Sequence, residues 1–178
     1  TGREATMPHS ITKSDKERRI IIVGGGPAGM EAARVSAERG HSVTLFERNS
    51  YLGGKIKLAA RAPAREQMAG IAYWLTTELE RLKVHIHFGV EASAQTIHST
   101  EPDIVVIATG GSPNLDECQA WGHSKGLVDS VEKVLSGEIA PATNVIVYDA
   151  IGGFAGTSCA DFLAQNESQV ELVSPDPS

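Results

Sequence analysis

One stretch restricts the fold of this chain more than any other. It is Arg19-Ile-Ile-Ile-Val-Gly-Gly-Gly-Pro-Ala-Gly-Met-Glu-Ala-Ala33, closed by Val43-Thr-Leu-Phe-Glu47. An apolar run, Ile20 to Val23, enters a turn with Gly24, Gly26 and Gly29 at G-x-G-x-x-G spacing. A helix pattern opened by Pro27 and Ala28 follows, then a second strand ending in an acid. A strand, a glycine turn, a helix and a carboxylate about 20 residues further on make the βαβ fingerprint of a dinucleotide site. Gly24 permits the tight turn. Gly26 has no Cβ, so the backbone can approach a pyrophosphate. Gly29 lets the helix lie close to the strand. The helix N-terminus offers N–H groups and a positive dipole end to phosphates, and Glu47 can accept hydrogen bonds from ribose hydroxyls.

Composition narrows the class. The 178 residues suit one large domain or parts of two. Hydrophobic content of 41% and charged content of 21% are ordinary for a soluble globular protein. The net charge of −6 argues against nucleic acid or an anionic membrane as partner. No apolar run reaches the ~18 residues of a membrane span. No signal-peptide core is present, so a cytoplasmic location is expected. Cys118 and Cys159 are isolated and fit no zinc or disulfide framework.

The remaining segments extend the pattern. Residues 1–18 are polar and read as linker. Their composition leads to the expectation of a portion excised from a longer chain. Ala28, Ala32, Ala33, Ser36 and Ala37 keep one face of the first helix small, and Gly40 is placed to end it. Arg48-Asn-Ser-Tyr-Leu-Gly-Gly-Lys55 is a loop with backbone exposed at Gly53 and Gly54, expected to approach the cofactor from the sheet edge of the first loop. The spacing predicts a helix over Pro63–Lys83 with Met68, Ile71, Leu75, Leu79 and Leu82 buried and Trp74 partly buried. Val84, Ile86 and Phe88 alternate with His85 and His87, a strand with its histidines toward solvent. Asp103–Gly110 reads as a central parallel strand buried on both faces, ending in Thr109-Gly110 at the ligand edge.

From 114 to 143 the chain reads as a crossover, with a short helix capped by Ser130 and stopped near Gly137. A second βαβ then begins: strand Asn144–Tyr148, helix Gly156–Gln165, strand Val170–Ser174. Its loop is an altered copy. With the last glycines aligned, Gly24, Gly26 and Gly29 match Ile151, Gly153 and Gly156. A β-branched Ile151 is costly wherever φ is positive, so a different turn is expected. Ser174 stands where the first unit has Glu47, and Asp149 adds negative charge near the phosphate position.

These motifs carry a resemblance. Tandem Rossmann units with Glu47, Leu52-Gly53-Gly54 and Ala108-Thr109-Gly110 resemble the two-dinucleotide flavoproteins, in which an NAD(P)H domain interrupts an FAD domain. Gly2-Arg-Glu4, the glycine-loop wording through Arg34, Leu52-Gly-Gly-Lys-Ile56 and Ala-Ala-Arg-Ala-Pro63 narrow this. They are similar to the C-terminal portion of the FMN/[4Fe–4S] NADH:flavin oxidoreductase family. That family includes 2,4-dienoyl-CoA reductase, trimethylamine and histamine dehydrogenases and N-methylproline demethylases. Tyr148-Asp-Ala-Ile-Gly-Gly-Phe-Ala-Gly156 leans to the demethylase and amine-dehydrogenase side.

The resemblance implies an α/β, Rossmann-like three-layer fold: an FAD-domain portion followed by the start of a second Rossmann unit. The segments are 1–18 linker, 19–113 FAD/ADP-binding portion, 114–143 crossover and 144–178 the opening of an NAD(P)-like unit. It implies a parent with an N-terminal FMN barrel and iron–sulfur segment as partners, passing electrons between them and NAD(P)H or FAD. Within this chain the implied role is binding, with no catalytic side chain and no metal. Gly24, Gly26, Pro27, Ala28 and Gly29 would hold the pyrophosphate of FAD or ADP. Glu47 would hold the ribose, with Arg48 beside the adenine. Gly53, Gly54 and Lys55 would line the phosphates, and Thr109 and Gly110 would close over the cofactor. Gly153 and Gly156 would serve a second nucleotide, with NAD(P) left open. Two further readings stand beside this one: an NAD-binding dehydrogenase domain, which Glu47 suits equally, and an ADP-holding docking module without redox activity.

Overall fold

The computed structural model describes residues 10–116 and 127–175. Gly2-Arg-Glu4 and Cys118 lie outside them. In chain order the elements are β1 (Arg19–Val23), α1 (Pro27–Glu38), β2 (Ser42–Glu47), α2 (Ile56–Ala59), a 3-10 turn (Glu66–Met68), α3 (Ala69–Arg81), β3 (His85–Phe88), α4 (Ala94–His98), β4 (Ile104–Ile107), α5 (Val131–Ser136), β5 (Asn144–Tyr148), α6 (Phe154–Gln165) and β6 (Gln169–Val173). They form two compact units. Residues 70–110 join the segment ending at Gly54, and residues 55–69 join the segment starting at Gly111.

The first unit is a four-stranded parallel sheet of order β3-β2-β1-β4. This is the α/β, Rossmann-like order expected of a dinucleotide-binding fold. β1 is central because Ile20, Ile21 and Ile22 are all buried, as a parallel strand covered on both faces requires. Ile20 and Ile22 with Val43 and Leu45 form one core with Met30 and Ala33 of α1 and Leu75 and Leu79 of α3. Gly40, at φ +90°, ends α1 by donating its N–H to Ala37 at 2.9 Å. Arg34 of α1 is forked between Glu31 and Glu38, and its guanidinium lies 5.4 Å from the Trp74 ring centroid. Trp74 is half exposed and sits under that cation.

Three expectations for this unit change. The helix begins at Ala69, not Pro63, because Ala64 takes φ +58° and Arg65 leaves the helical region before the 3-10 turn. Its inward face is Ala72, Leu75 and Leu79, and Ile71 is 46% exposed. A hydrophobicity pattern favours the bulky Ile71, whereas the helix rotation puts the small Ala72 inside. β4 is an edge strand among the described residues, pairing only with β1, and Ile107 is 75% exposed. A continuous apolar run does not reveal which neighbours will cover it. At β3, Ile86 and the preceding Val84 pack on the core and His85 and His87 are exposed, all as expected, with His87 stacked on Phe46 at 5.0 Å, but Phe88 is 47% exposed. Among the described residues no three His, Cys, Asp or Glu side chains gather as a metal site, and no helix is long and apolar enough to cross a membrane.

In the second unit, Ser130 caps α5 by accepting the Lys133 N–H, and Gly137 at φ +81° stops it. Arg61 donates to the Ser136 carbonyl at 2.6 Å and Lys55 pairs with Glu132, tying the residues around α2 to α5. β5 and β6 are parallel, and α6 covers them through Val147, Cys159 and Leu163. α6 starts at Phe154, two residues ahead of the expected Gly156. Cys159 is 2% exposed, and burial pushes its thiol up. A buried thiol disfavoured as thiolate reacts slowly. Iodoacetamide at pH 8 should therefore leave Cys159 unmodified in the folded chain and alkylate it after denaturation, as read by peptide mapping. Alkylation at the rate of a free thiol in the folded state would refute this.

Candidate dinucleotide-binding site

The site is built almost wholly from backbone. β1 ends at Val23 and the chain turns through Gly24, at φ +107°, into α1. The Gly24 N–H donates to the Phe46 carbonyl at 2.8 Å. A Cβ on Gly24 would overlap the carbonyl oxygen of Ala108, so glycine is needed for space as well as for φ. A Cβ on Gly29 would overlap the carbonyl oxygen of Gly24 and come within 3.3 Å of the Ala108 Cβ. The first and third glycines thus pack the turn against itself and against the end of β4.

Gly26 is different. It is the N-cap of α1, with φ −74° and ψ 175°, and an added Cβ would meet nothing within 4 Å among the described residues. Among the described residues no side chain caps this helix, and no acid lies in its first turn. Pro27 occupies the first helical position, where its missing N–H costs nothing. Pro27 and Ala28 are exposed. The positive end of the α1 dipole therefore faces outward without a resident carboxylate from its own helix.

Two further backbone segments meet here. Gly53, at φ +106°, donates to the Gly25 carbonyl at 2.8 Å. A Cβ on Gly54 would stand 3.0 Å from the Gly26 Cα. The Leu52-Gly53-Gly54 loop thus lies on the Gly24–Gly26 turn, anchored by the buried Leu52. From the other side, Ala108 donates to Val23 at 2.8 Å, and Thr109 and Gly110, the latter at φ +73°, follow exposed.

Glu47 closes β2 and is 5% exposed. Its Oε2 accepts the Gly25 N–H at 2.6 Å, and its Oε1 accepts the Asn49 N–H at 2.7 Å and Nδ2 at 2.8 Å. Gly25 is itself confined, since a Cβ there would stand 2.6 Å from Leu52 Cδ2 and 2.8 Å from Glu47 Oε2. Sequence reading missed Gly25 and Asn49. The signals were an uninterrupted run of three glycines and an Asn two residues past the acid. Arg48 is exposed beside them. Lys55 belongs to the second unit, where its ammonium pairs with Glu132.

The second glycine loop is built otherwise. Ile151 is 91% exposed, and the positive φ falls one residue later, at Gly152 with +71°. The turn has the different shape expected of it. Gly153 is the N-cap of α6 and Gly156 is buried in its first turns. Asp149 is 9% exposed and turns back into the loop. Its Oδ1 accepts N–H groups from Ile151 at 3.1 Å and Gly152 at 3.0 Å, and its Oδ2 accepts that of Gly153 at 3.0 Å.

The fold agrees with comparison to known proteins. The family model described as pyridine nucleotide-disulphide oxidoreductase matches residues 2–135. The N,N-dimethylglycine/sarcosine dehydrogenase of Chromohalobacter salexigens is 50% identical over 99% of this chain and 26% of its own length. A probable N-methylproline demethylase of Rhizobium meliloti is 44% identical over 100% of this chain and 26% of its own. Among solved structures, a 2-naphthoyl-CoA reductase in complex with 2-naphthoyl-CoA matches with a TM-score of 0.80 at 28% identity, over 92% of this chain and 24% of that one. The chain spans about a quarter of the length of the curated relatives it matches. The resemblance drawn from the glycine loops is borne out by these relatives. The chain belongs to the pyridine nucleotide-disulphide oxidoreductase family, as a Rossmann-fold dinucleotide-binding portion related to demethylases, dehydrogenases and reductases.

Proposed function

We propose that the first unit holds the ADP moiety of FAD, or ADP itself, for a larger flavin oxidoreductase. One observation carries this: the uncapped N-terminus of α1 at Gly26, with open space where a Cβ would be and Gly54 packed beside it. That is a cradle of backbone amides and a dipole end with room for a pyrophosphate. Gly24 and Gly29 fix its shape, while Gly26, Pro27 and Ala28 face the phosphates. Gly53, Gly54, Thr109 and Gly110 line it, and Glu47 and Arg48 serve the ribose and adenine. Lys55 would have to leave Glu132 to reach a phosphate. The boundaries 19–113 for this portion and 144–178 for the second unit belong to the same reading.

FAD bound here would supply the redox chemistry. The chain's own residues bind and orient it. The parent is proposed to carry FMN and a [4Fe–4S] cluster in a preceding portion and to exchange electrons with this one in the cytoplasm. The names of the two relatives described above favour a small N-methylated amine as the parent's substrate.

Calorimetric titration of the complete parent chain, stripped of nucleotide, tests this. ADP and FAD should bind at one mutually exclusive site. Uptake of ADP with no uptake of FAD would select the docking-module reading. Binding of NADH in competition with ADP would select the NAD reading, and no binding of any of the three would end the proposal.

A further inference from the structure

We infer that the second glycine loop is filled by its own carboxylate: Asp149 takes the anion seat, and NAD(P)H, which the two-dinucleotide layout would put there, does not fit. The inference stands on the second unit alone and does not depend on what the first loop binds.

A pyrophosphate is held in a Rossmann loop by consecutive backbone N–H groups at a helix N-terminus. In the second unit those groups are Ile151, Gly152 and Gly153, and all three donate to Asp149 at 3.0–3.1 Å. Gly153 is the N-cap of α6, a 12-residue helix, so the carboxylate also meets the positive dipole end. Asp149 is buried, and a charge in that position is screened weakly by salt. A diphosphate approaching the same amides would have to displace a bonded anion or lie against it.

The retained glycine has been put to another use. A Cβ at Gly156 would stand 2.6 Å from both the Cβ and Oδ2 of Asp149. Gly156 therefore makes room for the aspartate. In the first unit the corresponding Gly29 makes room for the Gly24 carbonyl. The connection is also longer: Asp149–Gly153 joins β5 to α6, whereas Gly24–Gly26 joins β1 to α1. The extra length is what lets Asp149 fold back under its own loop. The first loop has no such residue. Its carboxylate, Glu47, comes from the neighbouring strand and takes the Gly25 N–H, leaving the helix end uncapped.

The measurement is hydrogen exchange of the complete parent chain, resolved to peptides covering 150–157. In the wild type these amides should be protected, and neither 1 mM NADH nor 1 mM NADPH should change them. In Asp149→Asn, which keeps the shape and loses the charge, the amides of 151–153 should exchange roughly tenfold faster or more. In Asp149→Gly, 10 mM inorganic pyrophosphate should restore protection that it does not add in the wild type. Added protection of the wild-type loop by NADH or NADPH would overturn the inference, whether or not either variant folds. Unchanged exchange in Asp149→Asn would overturn it as well.

Discussion

Gly29→Ala should unfold the first unit or cost it about 3 kcal/mol or more, while Gly26→Ala should leave it folded and take away the nucleotide. Both residues belong to one fingerprint, yet they meet different surroundings. A Cβ on Gly29 overlaps the Gly24 carbonyl, which is fixed by its own turn and by the end of β4. Backbone cannot move aside as a flexible side chain can, so the cost lies at or above the upper end for overpacking. A Cβ on Gly26 meets nothing, and its φ of −74° suits any L residue. The stability cost there is that of a poorer N-cap, within about 1 kcal/mol. Affinity for ADP should nevertheless fall on the order of a hundredfold, because the methyl holds the pyrophosphate about a bond length off the amides. Urea denaturation of each variant and calorimetry with ADP check both halves. Gly26→Ala with wild-type ADP affinity would remove the phosphate from this turn, and a stable Gly29→Ala would show that the turn can yield.

That division was only partly legible in the sequence. The spacing of Gly24, Gly26 and Gly29 is enough to announce a βαβ loop, because no other residue satisfies the first and third positions. The meeting of Gly54 with Gly26 was also foreseeable, since both loops leave one edge of a parallel sheet. What the letters do not carry is direction. Ala64 at φ +58° delays α3 to Ala69, and nothing in Ala-Pro-Ala-Arg announces a left-handed alanine. The run Ile104–Ile107 is apolar enough for a central strand, yet among the described residues it sits at an edge, because coverage depends on segments distant in sequence. Asp149 was recognisable as a negative charge near a phosphate position. Its turning inward to cap three amides depended on a loop length that alignment by glycines hides.

Glu47→Ala should cost the first unit about 2–4 kcal/mol before any nucleotide is added, and should also weaken ADP by about 1.5–3 kcal/mol. The first effect arises because the carboxylate is buried and accepts three hydrogen bonds, from Gly25 and twice from Asn49. Removing it strands the buried Gly25 N–H and the half-buried Asn49 donors, and an unpaired buried donor costs more than its bond contributed. The second arises from lone-pair arithmetic. Each carboxylate oxygen has two acceptor sites. Both on Oε1 are taken by Asn49, and one on Oε2 is taken by Gly25. One site remains, so Glu47 can receive one ribose hydroxyl without rearrangement. Of 2′-deoxy-ADP and 3′-deoxy-ADP, one should lose affinity and the other should bind as ADP does. An affinity loss in Glu47→Ala would not by itself prove ribose contact, since it also releases the Gly25 amide at the mouth of the cradle. Deoxy analogues separate the two causes in the wild-type protein. Equal binding of both analogues and ADP would remove the ribose role from Glu47 and leave it a loop-bracing residue. Wild-type stability of Glu47→Ala in urea would remove the bracing role instead.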